Sequence, residues 1–477
     1  MPILFRDYET RSTLDLRDVG AWRYATHATT DAWCCAYCVD DGPIELWVPG
    51  DPIPTAFTEA ATSPAWLIAA FNDSFERLIE AHIMALRYGF PLVPIERHRC
   101  LQASALAHAL PGSLDGAAQA LKLEQQKDTA GRRVMLQMAK PRRPRKDEDP
   151  KGVYWFDDPE RQEQLHRYCV QDVATERELH RHVGFLTAEE QALWVLDSAI
   201  NDRGIHVDRE LLDAAIRIAG ATQDELAAEL NKITEGVVEN VHQTARLLEW
   251  LVSHGCKIPD LRKPTLEKTL ARSDLPATTR RVIELRLHGA HAAVAKLSTM
   301  RDWLSPDNRV RHTLKFHGAS TGRWSSHGIQ LQNLKRPIVD DVDAAIVAVR
   351  TGSLEHLRQH YQQPMSVIGD ITRALICAQP GHRLIAADFS GVESRITAWL
   401  SGQQSKLDQW TKFDQTQNPE DEPYFVIGHE TFGIAKERAR AMPKSARAQS
   451  ARPAISRSAT WVGSVLGGNW HRTTTPL

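Results

Sequence analysis

The first candidate chemistry lies near the start of the chain, where the apolar run Ile3-Leu4-Phe5 is followed at once by Asp7-Tyr8-Glu9. Residues two apart on a strand point to one face, so Asp7 and Glu9 present paired carboxylates that repel unless a cation lies between them. Hard oxygen ligands of this kind suit Mg²⁺ or Mn²⁺. A second acidic group, Asn72-Asp73-Ser74-Phe75-Glu76, follows a predicted strand from Trp66 to Ala70. In Tyr168-Cys-Val-Gln-Asp172, helical i,i+4 spacing lets a phenol and a carboxylate reach one point. Farther on, Asp388 ends the apolar run Leu384 to Ala387, which predicts a carboxylate at the tip of a strand buried on both faces.

The elements that must position these groups are legible in outline. Polar and apolar residues alternate from Gly20 to Asp51 about the turn Asp40-Asp41-Gly42-Pro43, predicting a hairpin beside the first strand. Residues from about Pro159 to His180 read as one helix. Thr187-Ala-Glu-Glu190 is a capping box opening a helix with Leu193, Leu196 and Ile200 on one face and its end at Gly204. Ile205 and Val207 read as a short strand, and helices follow over Arg209 to Ile233, Thr244 to His254 and Thr279 to Leu304. Their polar outer faces suggest an arm. After Asp388, Ser390 is positioned to cap a helix whose first turn holds Glu393, with Ile396, Trp399 and Leu400 as an apolar face.

The length of 477 residues predicts two to four domains. Lys and Arg total 58 against 60 for Asp and Glu, so any surface for a polyanion has to be local. Two stretches qualify. Lys140 to Lys146 is basic and broken by prolines, and Arg309, Arg311, Lys315, Arg323, Lys335 and Arg336 run without an acid among them. Such a strip can neutralise several phosphates. Inside it lie Thr321-Gly-Arg323 and Gln330-Leu-Gln332-Asn333, whose guanidinium and amides suit the minor-groove acceptors that hardly vary with base sequence. Cys34, Cys35 and Cys38 lack a second pair or a His at zinc spacing and read as strand residues in a reducing compartment. Charges at Arg6, Asp7, Glu9, Asp15 and Asp18 break any secretion signal, and no apolar run reaches membrane-spanning length, so the expectation is a cytoplasmic protein.

Taken in order, the three N-terminal motifs resemble the tyrosine-bearing DEDD 3'-5' exonucleases, and the later ones resemble family A (DNA polymerase I type, bacteriophage-like) DNA polymerases. The resemblance implies an RNase H-like α/β exonuclease domain with a mixed sheet over 1–185. A palm start and mostly helical thumb would follow over 186–310, then an incomplete α+β polymerase palm with the start of the fingers over 311–440. It implies two-metal hydrolysis with two Mg²⁺ or Mn²⁺ ions per site, held by Asp7, Glu9 and Asp172. Tyr168 would orient water, and Glu76 stands where the superfamily has Asp. It further implies that Asp388 holds the ions of nucleotidyl transfer and that Glu393 crowds the sugar 2' position. Arg323, Gln332, Asn333 and Arg373 would hold primer–template DNA. The implied partners are primer–template DNA, single-stranded 3' ends and dNTPs, acted on by a monomer in a bacterial or phage-infected cell. The family's second polymerase aspartate has no counterpart, since no acid follows Glu437. The expectation is therefore a polymerase half cut short by a frameshift or stop, an aberrant tail over 441–477, and poor primer extension. A stand-alone exonuclease and a non-catalytic DNA-binding remnant are the competing expectations.

Overall fold

The computed structural model describes residues 1–125, 128–289 and 292–442. They fall into two compact units, Met1–Arg383 and the segment from Leu384 onward. No helix among the described residues is long and apolar enough to cross a membrane.

Unit one begins with β1 (Ile3–Arg11), α1 (Leu16–Ala25), β2 (Asp31–Val39), β3 (Glu45–Trp47), α2 (Thr55–Thr62), β4 (Leu67–Ala70) and α3 (Asp73–Ile79). A π-helical stretch, Glu80–Tyr88, extends α3 and leads to β5 (His98–Cys100). The strands form one sheet in the order β3-β2-β1-β4-β5. β2 runs antiparallel to both β1 and β3, whereas β4 runs parallel to both β1 and β5. Alternation along β1 sorts its side chains. Leu4 and Tyr8 enter a core with Tyr24, Phe57 and Ile83, and Phe5 enters another with Cys34, Ala69, Cys169 and Val173. Asp7 and Glu9 share the parity of Phe5 and so face the second core.

The expected hairpin holds only from Asp31. Residues Leu16–Ala25 form a helix instead, broken at Gly20, whose φ of 77° suits glycine. A Cβ at Gly20 would lie 2.7 Å from the Trp303 ring, so this glycine also lets the Leu16–Ala25 helix lie against that indole.

The sheet is then covered by α4 (Leu101–Ala107), α5 (Leu114–Leu121), α6 (Thr129–Met138) and α7 (Pro159–Val183). Asp158 caps α7 by accepting from Arg161 N at 3.1 Å, and proline at its first position needs no amide partner. Next come α8 (Ala188–Arg203), capped by Thr187 as the sequence predicts, and α9 (Arg209–Ile233). The buried face of α8 differs from the expected one. Gln191, Trp194, Asp197, Ser198 and Asn201 are buried, and Leu193 and Leu196 are exposed. The polar face can go inside because tertiary hydrogen bonds meet it: Gln191 Nε2 donates to His98 O and Asn201 Nδ2 to Leu314 O. Helix α9 spans two cores, one with Met300, Trp303 and Ile368 and one with Trp250, Val282 and Ile283.

In the unit from Leu384, helices Val392–Leu400, Gln404–Thr416 and Pro423–Phe432 gather around Trp410. Arg395 stacks over that indole at 4.3 Å and pairs with Asp414. Three expectations fail here. Residues 384–387 form no strand, and Leu384 and Ile385 are 62% and 83% exposed. A strand buried on both faces needs neighbours, and among the described residues none pairs with it. The helix cap is Gly391 rather than Ser390, with φ 63°, and its Cα lies against the Trp410 ring. Ile396, Trp399 and Leu400 are exposed, while Ser394 and Ala398 face inward. The expected aberrant tail lies outside the described residues from 443 on.

Behind β1, Arg6 is wholly buried and donates to Asp73 at 2.6 Å and to Glu80 at 2.8 Å. Its removal would strand two buried carboxylates, so Arg6→Met is expected to cost about 3–5 kcal/mol in urea unfolding. Burial would raise the Asp73 carboxyl, but the neighbouring His98 and Arg6 outweigh it and hold the group at about 2. A carboxyl depressed in the folded state adds stability above its unfolded value of about 4 and loses it as pH falls through the folded value. The urea midpoint is therefore expected to drop between pH 4 and 2, with a contribution of about 2 kcal/mol that Asp73→Asn lacks.

Candidate active site

Asp7, Glu9 and Asp172 converge, each offering a carboxylate oxygen within 4.8 Å of the others. Two elements accomplish this. Asp7 and Glu9 project from one face of β1, and α7 crosses that face with Cys169 and Val173 packed into the same core. Cys169 Sγ lies 3.3 Å from Asp7 O and 3.5 Å from Asp7 Oδ2, so the thiol pins the strand where its carboxylate turns toward the helix. The β1–β2 register shifts between Glu9 and Thr10, ending regular pairing next to the acids. Three clustered carboxylates match the hard oxygen set that a divalent cation takes.

The cleft over this cluster, about 480 Å³, is also lined by Glu76, Tyr168 and Glu176. Tyr168 is buried, and burial followed by the Asp172, Glu9 and Asp7 charges pushes its phenol far up, so it is a neutral donor at ordinary pH. A Cβ at Gly131 of α6 would sit 2.9 Å from Tyr168 Cβ, so the glycine lets α6 close over the ring. Glu76 reaches the cleft from α3, though it is not among the three clustered ligands. Its Oε2 accepts from Tyr8 N at 3.3 Å, and burial, then the Asp7 charge, holds its carboxyl well up.

Glu176 belongs to none of the three motifs, although it lies one helical turn beyond Asp172. It is 1% exposed and accepts from Phe71 N at 2.9 Å. Burial and the Asp7 carboxylate raise it as well. Asp197 likewise carries no sequence signal, because helical periodicity points to its apolar neighbours instead. Its Oδ1 accepts from Trp324 Nε1 at 2.8 Å, and burial lifts its carboxyl to about 6.

Several cations of the two basic stretches are engaged within the fold. Arg311 pairs with Asp307 and stacks over Trp22, Lys335 pairs with Asp370 at 2.6 Å, and Arg309 donates to Gly204 O and Gln379. In the first stretch, Lys140 pairs with Asp15, Arg142 with Glu148 and Arg145 with Asp157. Arg323 follows Gly322 in an exposed turn closed by Ala319 N donating to Arg323 O at 3.0 Å. Gln332 and Asn333 are exposed on a single 3-10 turn, and Arg373 is exposed and donates to Leu334 O at 3.0 Å. Arg373 thus ties down the residue next to Asn333. In the other unit, Asp388 and Glu393 are both exposed, Asp388 on irregular chain and Glu393 in the first helical turn.

No family model matches the chain. It is 35% identical to a DNA polymerase of Bacillus phage SP02 over 414 residues, which make up 86% of this chain and 63% of that protein. The chain therefore spans less than two thirds of the relative's length. The fold resembles a solved chain described as the POL domain of Pol1 from M. smegmatis in complex with DNA primer-template and dNTP. The TM-score is 0.51 and the identity 15%, covering 98% of this chain and 70% of that one. At that identity the likeness concerns the fold alone. The chain is thus similar in sequence to part of a phage DNA polymerase.

Proposed function

We propose that the protein is a family A DNA polymerase whose N-terminal region is a 3'-5' exonuclease, the activity that its geometry supports best. The observation carrying this reading is the convergence of Asp7, Glu9 and Asp172 at one cleft, with Tyr168 beside them. The sheet order β3-β2-β1-β4-β5 with β2 antiparallel to its neighbours supports the RNase H-like reading. Mg²⁺ or Mn²⁺ held by the three carboxylates would supply Lewis acidity for water activation and for the leaving 3' oxygen. The chain's own groups do the rest. Tyr168 keeps its proton and holds the attacking water through that hydroxyl, and the carboxylates exclude any position for the scissile phosphate except one shared with a cation. The substrate is a single-stranded DNA 3' end.

The polymerase half rests on the homologue together with the motif residues. In this reading residues 186–310 supply the palm start and thumb and 311–440 the palm. Arg323, Gln332, Asn333 and Arg373 hold the primer–template duplex, Asp388 binds the ions of transfer, and Glu393 favours deoxynucleotides.

A labelled primer–template with Mg²⁺ tests both halves. Asp7→Ala is expected to slow shortening by at least about 10³-fold, or about 4 kcal/mol of barrier. Tyr168→Phe is expected to slow it about 100-fold. Shortening that survives Asp7→Ala overturns the nuclease assignment. Extension with dNTPs that disappears in Asp388→Ala supports the polymerase half; shortening without extension leaves a stand-alone nuclease, and a gel shift with neither leaves a DNA-binding remnant. The ion can also be detected without substrate. Mg²⁺ at about a hundred times its Kd is expected to stabilise the protein by about 2.7 kcal/mol. In Asp7→Asn the melting midpoint in EDTA should rise, because a like charge is gone, and the response to Mg²⁺ should vanish. An unchanged response would place the ion elsewhere.

A further inference from the structure

Along helix α8, Glu190, Asp197 and Asn201 follow helical spacing and form one polar stripe. All three meet the same short hairpin, whose antiparallel strands are Leu314–Lys315 and Ser325–Ser326. Glu190 Oε2 pairs with His317 Nε2 at 2.8 Å. Asn201 Oδ1 accepts from Leu314 N at 3.0 Å, and its Nδ2 donates to Leu314 O and to Asp197 Oδ2, both at 3.2 Å. Asp197 Oδ1 accepts from Trp324 Nε1 at 2.8 Å. Helix α8 thus grips the hairpin where the chain enters its turn and again where it leaves.

A ladder of two residue pairs is too short to fix a hairpin by itself. The turn between the strands has local bonds of its own, Gly322 N to Ala319 O at 2.9 Å and Ala319 N to Arg323 O at 3.0 Å. These shape the turn but do not tie it to the rest of the unit. Trp324 does so, since its ring stands edge-on to Phe316 at 5.4 Å and its indole nitrogen is bound by Asp197. Trp324 follows Arg323 directly, so this bond sets the direction in which the turn leaves the helix. A hydrogen bond to a carboxylate fixes direction as well as distance, which an apolar stripe such as Leu193 and Leu196 would not. Asp197 is 5% exposed, whereas Arg323 is exposed.

We infer that Asp197 is a positioning residue for duplex binding: acting through Trp324, it holds the Thr321-Gly-Arg323 turn in the geometry that grips primer–template DNA. This rests on the reading that Arg323 holds the duplex. It also gives the buried polar face of α8 a purpose beyond packing.

Anisotropy of a fluorescein-labelled primer–template duplex, titrated with the full chain in EDTA well below the melting temperature, tests both. Arg323→Ala is expected to weaken binding about tenfold. Asp197→Leu removes the acceptor, and Trp324→Phe removes the donor while keeping a ring against Phe316; each is expected to weaken binding about tenfold. A merely structural role would lower the melting midpoint and leave the affinity of the folded protein alone. The decisive measurement is coupling: in an Arg323→Ala background, either substitution is expected to weaken binding further by less than about twofold. If either single variant binds as the wild type does, or if its loss adds in full to that of Arg323→Ala, the inference is overturned and the role of Arg323 stands. If Arg323→Ala itself binds as the wild type does, the reading of Arg323 fails and this inference fails with it. Should Asp197→Leu not fold, Trp324→Phe, at an exposed position, decides by the same coupling.

Discussion

Like charges held at close range are the constraint on which the rest of the first unit depends. Two carboxylates 4.8 Å apart repel by about 3 kcal/mol at an effective dielectric of about 20, and three are brought that close here. The fold must therefore hold them against their own repulsion. It does so with a buried sheet and a long helix: Phe5, Cys169 and Val173 pack β1 to α7, and the Phe71 and Tyr8 amides fasten Glu176 and Glu76. Strand alternation completes the arrangement. Arg6 goes to one face, where its charge is matched by Asp73 and Glu80, and Asp7 goes to the other, where acids meet acids. One strand thus builds an ionic core on one face and, on the other, gathers three carboxylates.

The basic residues follow the opposite logic. A strip without an acid among its members reads in one dimension as a surface for a polyanion. In three dimensions, acids from elsewhere in the chain answer much of it, as Asp370 answers Lys335 and Asp307 answers Arg311. What stays exposed is concentrated at the turn carrying Arg323 and around Gln332, Asn333 and Arg373. Contact with a phosphate backbone would be confined to fewer groups than the charge count suggests, with a correspondingly shallower dependence on salt.

The unit from Leu384 shows how far local pattern can mislead. Its helices gather about Trp410 and Arg395 closes over the indole, yet Ile396, Trp399 and Leu400 of the Val392–Leu400 helix point outward. The run Leu384 to Ala387 has the composition of a core strand but forms none and is exposed. Strand propensity describes a fit to neighbouring strands and supplies little by itself. The same lesson applies to Leu193 and Leu196, whose helical stripe faces outward because hydrogen bonds from Gln191 and Asn201 make the polar face the better one to bury.

By itself, the sequence determined the elements that depend on neighbours in the chain: the Thr187 cap, the extents of α7 and α9, and the spacing that places Asp7 with Glu9 and Tyr168 with Asp172. Each is a matter of period and short-range hydrogen bonding, so it is written in a few consecutive residues. Only the tertiary structure decided that Asp172 lies within 4.8 Å of Asp7, that Glu76 and Glu176 flank the same cleft, and which arginines are answered by distant acids. Those outcomes turn on which face of α7 meets which face of β1. That is a packing choice among segments more than a hundred residues apart, and no local pattern encodes it.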